Sequence, residues 1–64
     1  MKINGKVISQ NENMTLEEVL KEEGFSLEKS AVELNGSIIS KSRYKEIEIS
    51  KEDIIEVVSF VGGG

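Results

Sequence analysis

The apolar residues of this chain fall into short alternating runs and one helical stripe, so periods of two and of 3.6 residues both appear along it. Met1 to Ile8 holds two short apolar stretches separated by Asn4-Gly5. Asn-Gly tolerates the positive φ angles of a type I′ turn, so the chain is expected to open on a β-hairpin. A turn centred there places Lys6 on the same face as Ile3, which leaves the register open.

A polar stretch runs from Ser9 to Asn13, after which Met14-Thr15-Leu16-Glu17-Glu18-Val19-Leu20 changes the period. Thr15 and Glu18 have the spacing of a reciprocal capping box, and Met14 and Val19 that of a hydrophobic staple, so a helix is expected to start at Thr15. Leu16, Val19 and Leu20 form its apolar stripe. Glu17 and Lys21 can pair one turn apart on the wet side, and Gly24 supplies a left-handed stop. At about two turns the helix needs tertiary packing to persist.

Ala31 to Leu34, the turn pair Asn35-Gly36 and Ser37 to Ile39 repeat the hairpin logic. The apolar pattern lapses between Ser40 and Tyr44, and Ile47 and Ile49 then alternate with Glu46 and Glu48 as in a half-buried strand. Lys51-Glu52-Asp53 reads as the turn into a last strand, Ile54 to Phe60, the most apolar part of the chain. One helix with this set of strands predicts an α+β domain of β-grasp type: a mixed four- to five-stranded sheet with the helix packed on one face. The last strand is expected at the centre, parallel to the first. Ile55 and Val57 then face the helix, while Val58 and Phe60 project from the uncovered face.

The 64 residues suffice for one domain, expected to fold over 1–61 with a tail over 62–64. No cysteine is present, which removes disulfides, thiolate metal sites and thiol nucleophiles; no histidine is present, which removes the usual general base near neutral pH. A metal site is not expected. Twelve acidic and eight basic residues give a net charge of -4 without a basic run, a balance that disfavours nucleic acid and could steer the chain toward a basic partner. No apolar run approaches the roughly 20 residues that span a bilayer, so no membrane association and a cytoplasmic location are expected. The helix acids Glu17, Glu18, Glu22 and Glu23 read as a solvated face, and Lys41, Arg43 and Lys45 around Tyr44 as a wet loop or a partner contact.

Of six glycines, three close the chain as Gly62, Gly63 and Gly64. Glycine pays the largest entropy cost on ordering, so such a terminus is expected to be flexible. Without a Cβ it can enter a narrow slot and deliver the Gly64 carboxylate to a partner's active site. Five residues from Phe60 to Gly64 reach roughly 17 Å when extended. A carboxylate is a poor electrophile until it becomes an acyl adenylate, after which a sulfur nucleophile can displace AMP and leave a thiocarboxylate. All catalytic groups would then belong to the partner. The apolar patch of Val58 and Phe60 beside the tail is a candidate docking surface. A glycine run is equally what a frayed end or linker looks like.

Met1-Lys2-Ile3 with Asn4-Gly5, Thr15 to Leu20, Ala31 to Gly36, Arg43-Tyr44 and Asp53 to Gly64 together resemble the ThiS family, the ubiquitin-like sulfur carriers of thiamine biosynthesis. The resemblance covers the whole chain. It departs from the family pattern at Lys51-Glu52-Asp53, where Asp-Gly-Asp is usual, and at Ser40 to Ser42, where proline is common. It implies that Gly63 and Gly64 match the family's terminal Gly-Gly, and that an E1-like adenylating enzyme uses ATP on the Gly64 carboxylate. The thiocarboxylate then passes its sulfur to thiazole synthase, and no cofactor is bound by the carrier itself. A carrier for molybdopterin or amino-acid sulfur, and a ubiquitin-like modifier or interaction module, remain alternatives.

Overall fold

The strand that ends the fold also lies at its middle. The computed structural model describes residues 1–9 and 13–60. In chain order these form β1 (Lys2–Ile3), β2 (Lys6–Val7), α1 (Leu16–Glu22), β3 (Ser30–Leu34), β4 (Ser37–Ile39), a 3₁₀ turn (Lys41–Arg43) and β5 (Ile54–Ser59). The sheet order is β2-β1-β5-β3-β4. β1 runs parallel to β5, and every other pairing is antiparallel. This is the mixed, β-grasp-like sheet with one helix that the pattern predicts.

Both Asn-Gly pairs make their turns, with Asn4 and Asn35 each at φ 52° ahead of Gly5 and Gly36 at 83° and 88°. The first hairpin pairs Ile3 with Lys6, so the two do share a face. Ile3 is buried in the core, whereas Lys6 sits exposed on the edge strand. The conflict between an apolar and a charged residue on one face disappears at a sheet edge.

The two turn asparagines do more than turn the chain. Asn4 accepts from the Val57 N–H through Oδ1 at 2.8 Å and donates through Nδ2 to the Val57 carbonyl at 3.1 Å. Its own N–H donates to the Ile55 carbonyl at 2.9 Å. β1 is too short to pair with all of β5, and the Asn4 amide continues the ladder. On the other side, Asn35 donates its backbone N–H to the Ile54 carbonyl at 2.7 Å and accepts from the Ile54 N–H at 2.9 Å. β5 is thus held from both flanks by side-chain amides.

The helix begins as its sequence dictates. Thr15 Oγ1 accepts from the Glu18 N–H at 3.2 Å, and Glu18 Oε1 accepts from the Thr15 N–H at 2.9 Å. Leu16, Val19 and Leu20 are buried against the sheet. At the other end Gly24 adopts φ 85°, its N–H donates to the Lys21 carbonyl, and the Phe25 N–H donates to the Leu20 carbonyl. This paired arrangement is a Schellman stop, closed by Phe25 packing against the core. The Glu17–Lys21 pair does not form; among the described residues the ion pair is Arg43 Nε to Glu46 Oε2 at 3.3 Å.

Residues 46–49 are not a strand. Ile49 is buried and Ile47 packs against the core as the alternation predicts, but their backbone partners are not a sheet. The Leu16 N–H donates to the Ile47 carbonyl at 2.8 Å and the Ile49 N–H donates to the Met14 carbonyl at 2.9 Å, with one bridge between Thr15 and Glu48. The segment laces onto the entry of α1 instead. Tyr44, at the end of the stretch where the apolar pattern lapses, is a core residue at 2% exposure, and burial pushes its phenol above its ordinary titration range. Ser30 at the start of β3 is buried with its hydroxyl unpartnered, a cost the fold carries.

The turn into β5 is built on Asp53. Burial raises its carboxyl, but hydrogen bonds from the Ser50 N–H and the Asn35 amide, with the Ser50 hydroxyl and the N-terminal ammonium, outweigh this and hold it below its ordinary value. Its stabilising contribution is therefore complete above the ordinary carboxylate range and is lost as pH falls through the depressed folded value. Asp53→Asn should lower stability at neutral pH, and the gap from the parent should close as pH falls below the ordinary carboxylate range through the depressed folded value, as read by urea denaturation. Asn4→Gly keeps the turn geometry but removes the clamp; we expect a loss of about 1–2 kcal/mol in the same assay, from two hydrogen bonds to β5.

Candidate functional site

β5 divides its residues between two environments. Ile55 and Val57 point into the core at 0% and 7% exposure, while Ile54, Val58 and Phe60 stand on the open face at 49%, 63% and 51%. The cause is the strict alternation of a strand covered on one side by α1 and uncovered on the other. The expected patch of Val58 and Phe60 therefore exists as exposed apolar surface. Phe60 is tethered by its N–H to the Lys29 carbonyl at 2.7 Å, one residue past the end of β5. Gly62, Gly63 and Gly64, on which the tail chemistry rests, lie outside the described residues.

The open face is larger than the sequence reading had it. Ile54 joins it from the far end of β5, Ile38 from β4 at 80% exposure, and Val7 from β2 at 72%. Ile54 was concealed by its position in the most apolar run of the chain, although its even spacing from Val58 and Phe60 is the signal that places it there. Ile38 needed the β3–β4 register, which sets it opposite Glu33 rather than opposite a core residue.

Three of the side chains considered as alternative chemistry, Glu18, Lys41 and Arg43, have structural employment. Glu18 closes the capping box. Lys41 Nζ donates to the Glu28 carbonyl, tying the 3₁₀ turn to the loop ahead of β3, and Arg43 is paired with Glu46. Among the described residues, no group of three or more acids gathers as a metal site would require. Within the described residues, what the fold presents is a central strand with an apolar outer face, which ends at Ser59 and is followed by Phe60.

A family model described as the ThiS family matches residues 1–64. The chain belongs to the ThiS family. This is the family of sulfur carrier proteins of thiamine biosynthesis, which act as protein co-substrates rather than as enzymes. The sulfur carrier protein ThiS of Bacillus subtilis is 37% identical over 65 residues, covering 100% of this chain and 98% of that one. A thiazole synthase of Paramagnetospirillum magneticum is 40% identical over 62 residues, which are 97% of this chain but 19% of that protein. The chain thus spans about a fifth of the thiazole synthases it matches. The crystal structure of the thiamine biosynthesis protein ThiS from Geobacter metallireducens superposes with a TM-score of 0.78 at 27% identity, covering 98% of this chain and 96% of that one. The ThiS-family fold is therefore the fold observed here, with its central last strand.

The two faces of β5 should separate cleanly in stability. Ile55→Ala removes a fully buried side chain and should cost about 2–5 kcal/mol, whereas Val58→Ala should stay within about 0.5 kcal/mol, both read from urea midpoints.

Proposed function

We propose that this chain carries sulfur for thiazole formation, with the carboxylate of Gly64 as the working group. The observation that carries the reading is the ThiS-family match over the whole length, including the three closing glycines of the sequence, on a fold whose last strand has an exposed apolar face. An E1-like adenylating enzyme in the cytoplasm docks on Val58 and Phe60, draws Gly62 and Gly63 into its slot and transfers AMP from ATP to Gly64, releasing pyrophosphate. A sulfur donor displaces AMP to leave the thiocarboxylate. Thiazole synthase then accepts the sulfur; the similarity of this chain to a segment of proteins named thiazole synthase supports that pairing. The carrier supplies neither acid nor base, in keeping with a sequence that lacks both histidine and cysteine.

Incubation of the purified chain with such an enzyme, ATP and a sulfur donor should raise its intact mass by one sulfur less one oxygen, located at Gly64 by fragmentation. Deleting Gly64 or adding a residue after it should abolish the gain while leaving the melting temperature unchanged, because the last residues of a domain ordinarily contribute little to its packing. Attachment to larger proteins instead of sulfur gain would mark a modifier, and a large fall in melting temperature would show the tail to be part of the fold.

A further inference from the structure

The β3–β5 register sets Glu33 directly opposite Glu56, and both stand exposed on the open face of the sheet. Along β5, Glu56 lies between Ile54 and Val58; across the sheet, Glu33 faces Ile38 of β4. Opposed side chains have Cβ atoms roughly 4.5–5.5 Å apart, a spacing at which like charges repel. Neither carboxylate has an ion-pair partner among the described residues. Lys2, a cation of the same face, aligns with Ile54 one row away and makes no ion pair with Glu56. The free protein therefore keeps two unneutralised carboxylates in the middle of its exposed apolar surface.

Any protein that covers Ile54, Val58 and Ile38 together must also cover this row. Removing two neighbouring carboxylates from water without a counter-charge is strongly unfavourable. A second copy of this chain stacked on the same face would bring two more carboxylates and compound the repulsion. A guanidinium or ammonium among apolar side chains would satisfy both the charge and the surface around it, a planar guanidinium being able to fork between the two acids.

Resting on the sulfur-carrier reading above, we propose that the Glu33–Glu56 row is the charge-reading centre of the docking face, and that the activating enzyme meets it with an arginine or lysine set in an apolar surface. Phe60 lies four positions beyond Glu56 along extended backbone, so that cation sits roughly 13 Å from Phe60. Docking by Val58 and Phe60 alone fixes contact; an additional charge contact at that distance fixes the orientation in which the tail enters.

The test compares the parent chain with Glu33→Gln/Glu56→Gln, measuring affinity for the activating enzyme by titration calorimetry at low and high salt, with thiocarboxylate formation followed in parallel. The double variant should bind at least about tenfold more weakly and lose most of the salt dependence of the parent, because the partner's cation then faces no charge. Its melting temperature should be equal to or a few degrees above that of the parent, since a repulsion has been removed. The single variants should fall between. Equal affinity and equal salt dependence in parent and double variant, with the parent still gaining sulfur, would overturn the charge-reading role and leave the carrier function standing. Failure of the parent itself to bind or gain sulfur would overturn both.

Discussion

The rest of this structure depends on how its last strand is held. β5 is central, yet its parallel partner β1 is two residues long and could pair with only a fraction of it. The Asn4 side chain supplies the missing rungs at Val57, and Asn35 does the same at Ile54 on the opposite flank. With β5 fixed in position and rotation, Ile55 and Val57 drop into the space beneath α1. The alternate residues are then forced outward, so the exposed apolar surface follows directly from the clamp that secures the core.

That division assigns the core to one side of a strand and leaves the other side open. The inner side carries Ile55 and Val57 against Leu16, Val19 and Leu20, and it accounts for the stability of a chain too small to spare core residues. The outer side carries Ile54, Glu56 and Val58, none of which the fold uses for packing. Under the proposed carrier reading, this arrangement would leave the outer row open to a partner without disturbing the core behind it.

Much of this was legible in the residues because local rules and the global fold agree. The Asn-Gly turns, the Thr15–Glu18 box and the Gly24 stop each carry a signal within a few positions of one another, and the apolar run from Ile54 marks the last strand as central, whereas its parallel pairing with β1 follows from topology rather than from any local pattern. The segment around Ile47 and Ile49 misled because its alternation reports which residues face inward, not what the backbone bonds to; its partners are Met14 and Leu16, at the helix entry. Tyr44 was hidden by the charged Lys41, Arg43 and Lys45 around it, and Ser30 by its polarity. The Glu33–Glu56 opposition was invisible for another reason: it is a property of register between strands 20 residues apart, which no local pattern encodes. The exposed apolar surface was legible in Val58 and Phe60 but not in its full extent, since Ile38 and Val7 belong to it only through the sheet order.

The brevity of the outermost strands has its own consequence. β2 contributes two residues and β4 three, so each margin of the sheet offers few free amide and carbonyl groups to a passing chain. Templated ribbon growth from either margin finds too little backbone to extend. Stickiness is thereby confined to a face of the sheet and withheld from its rims.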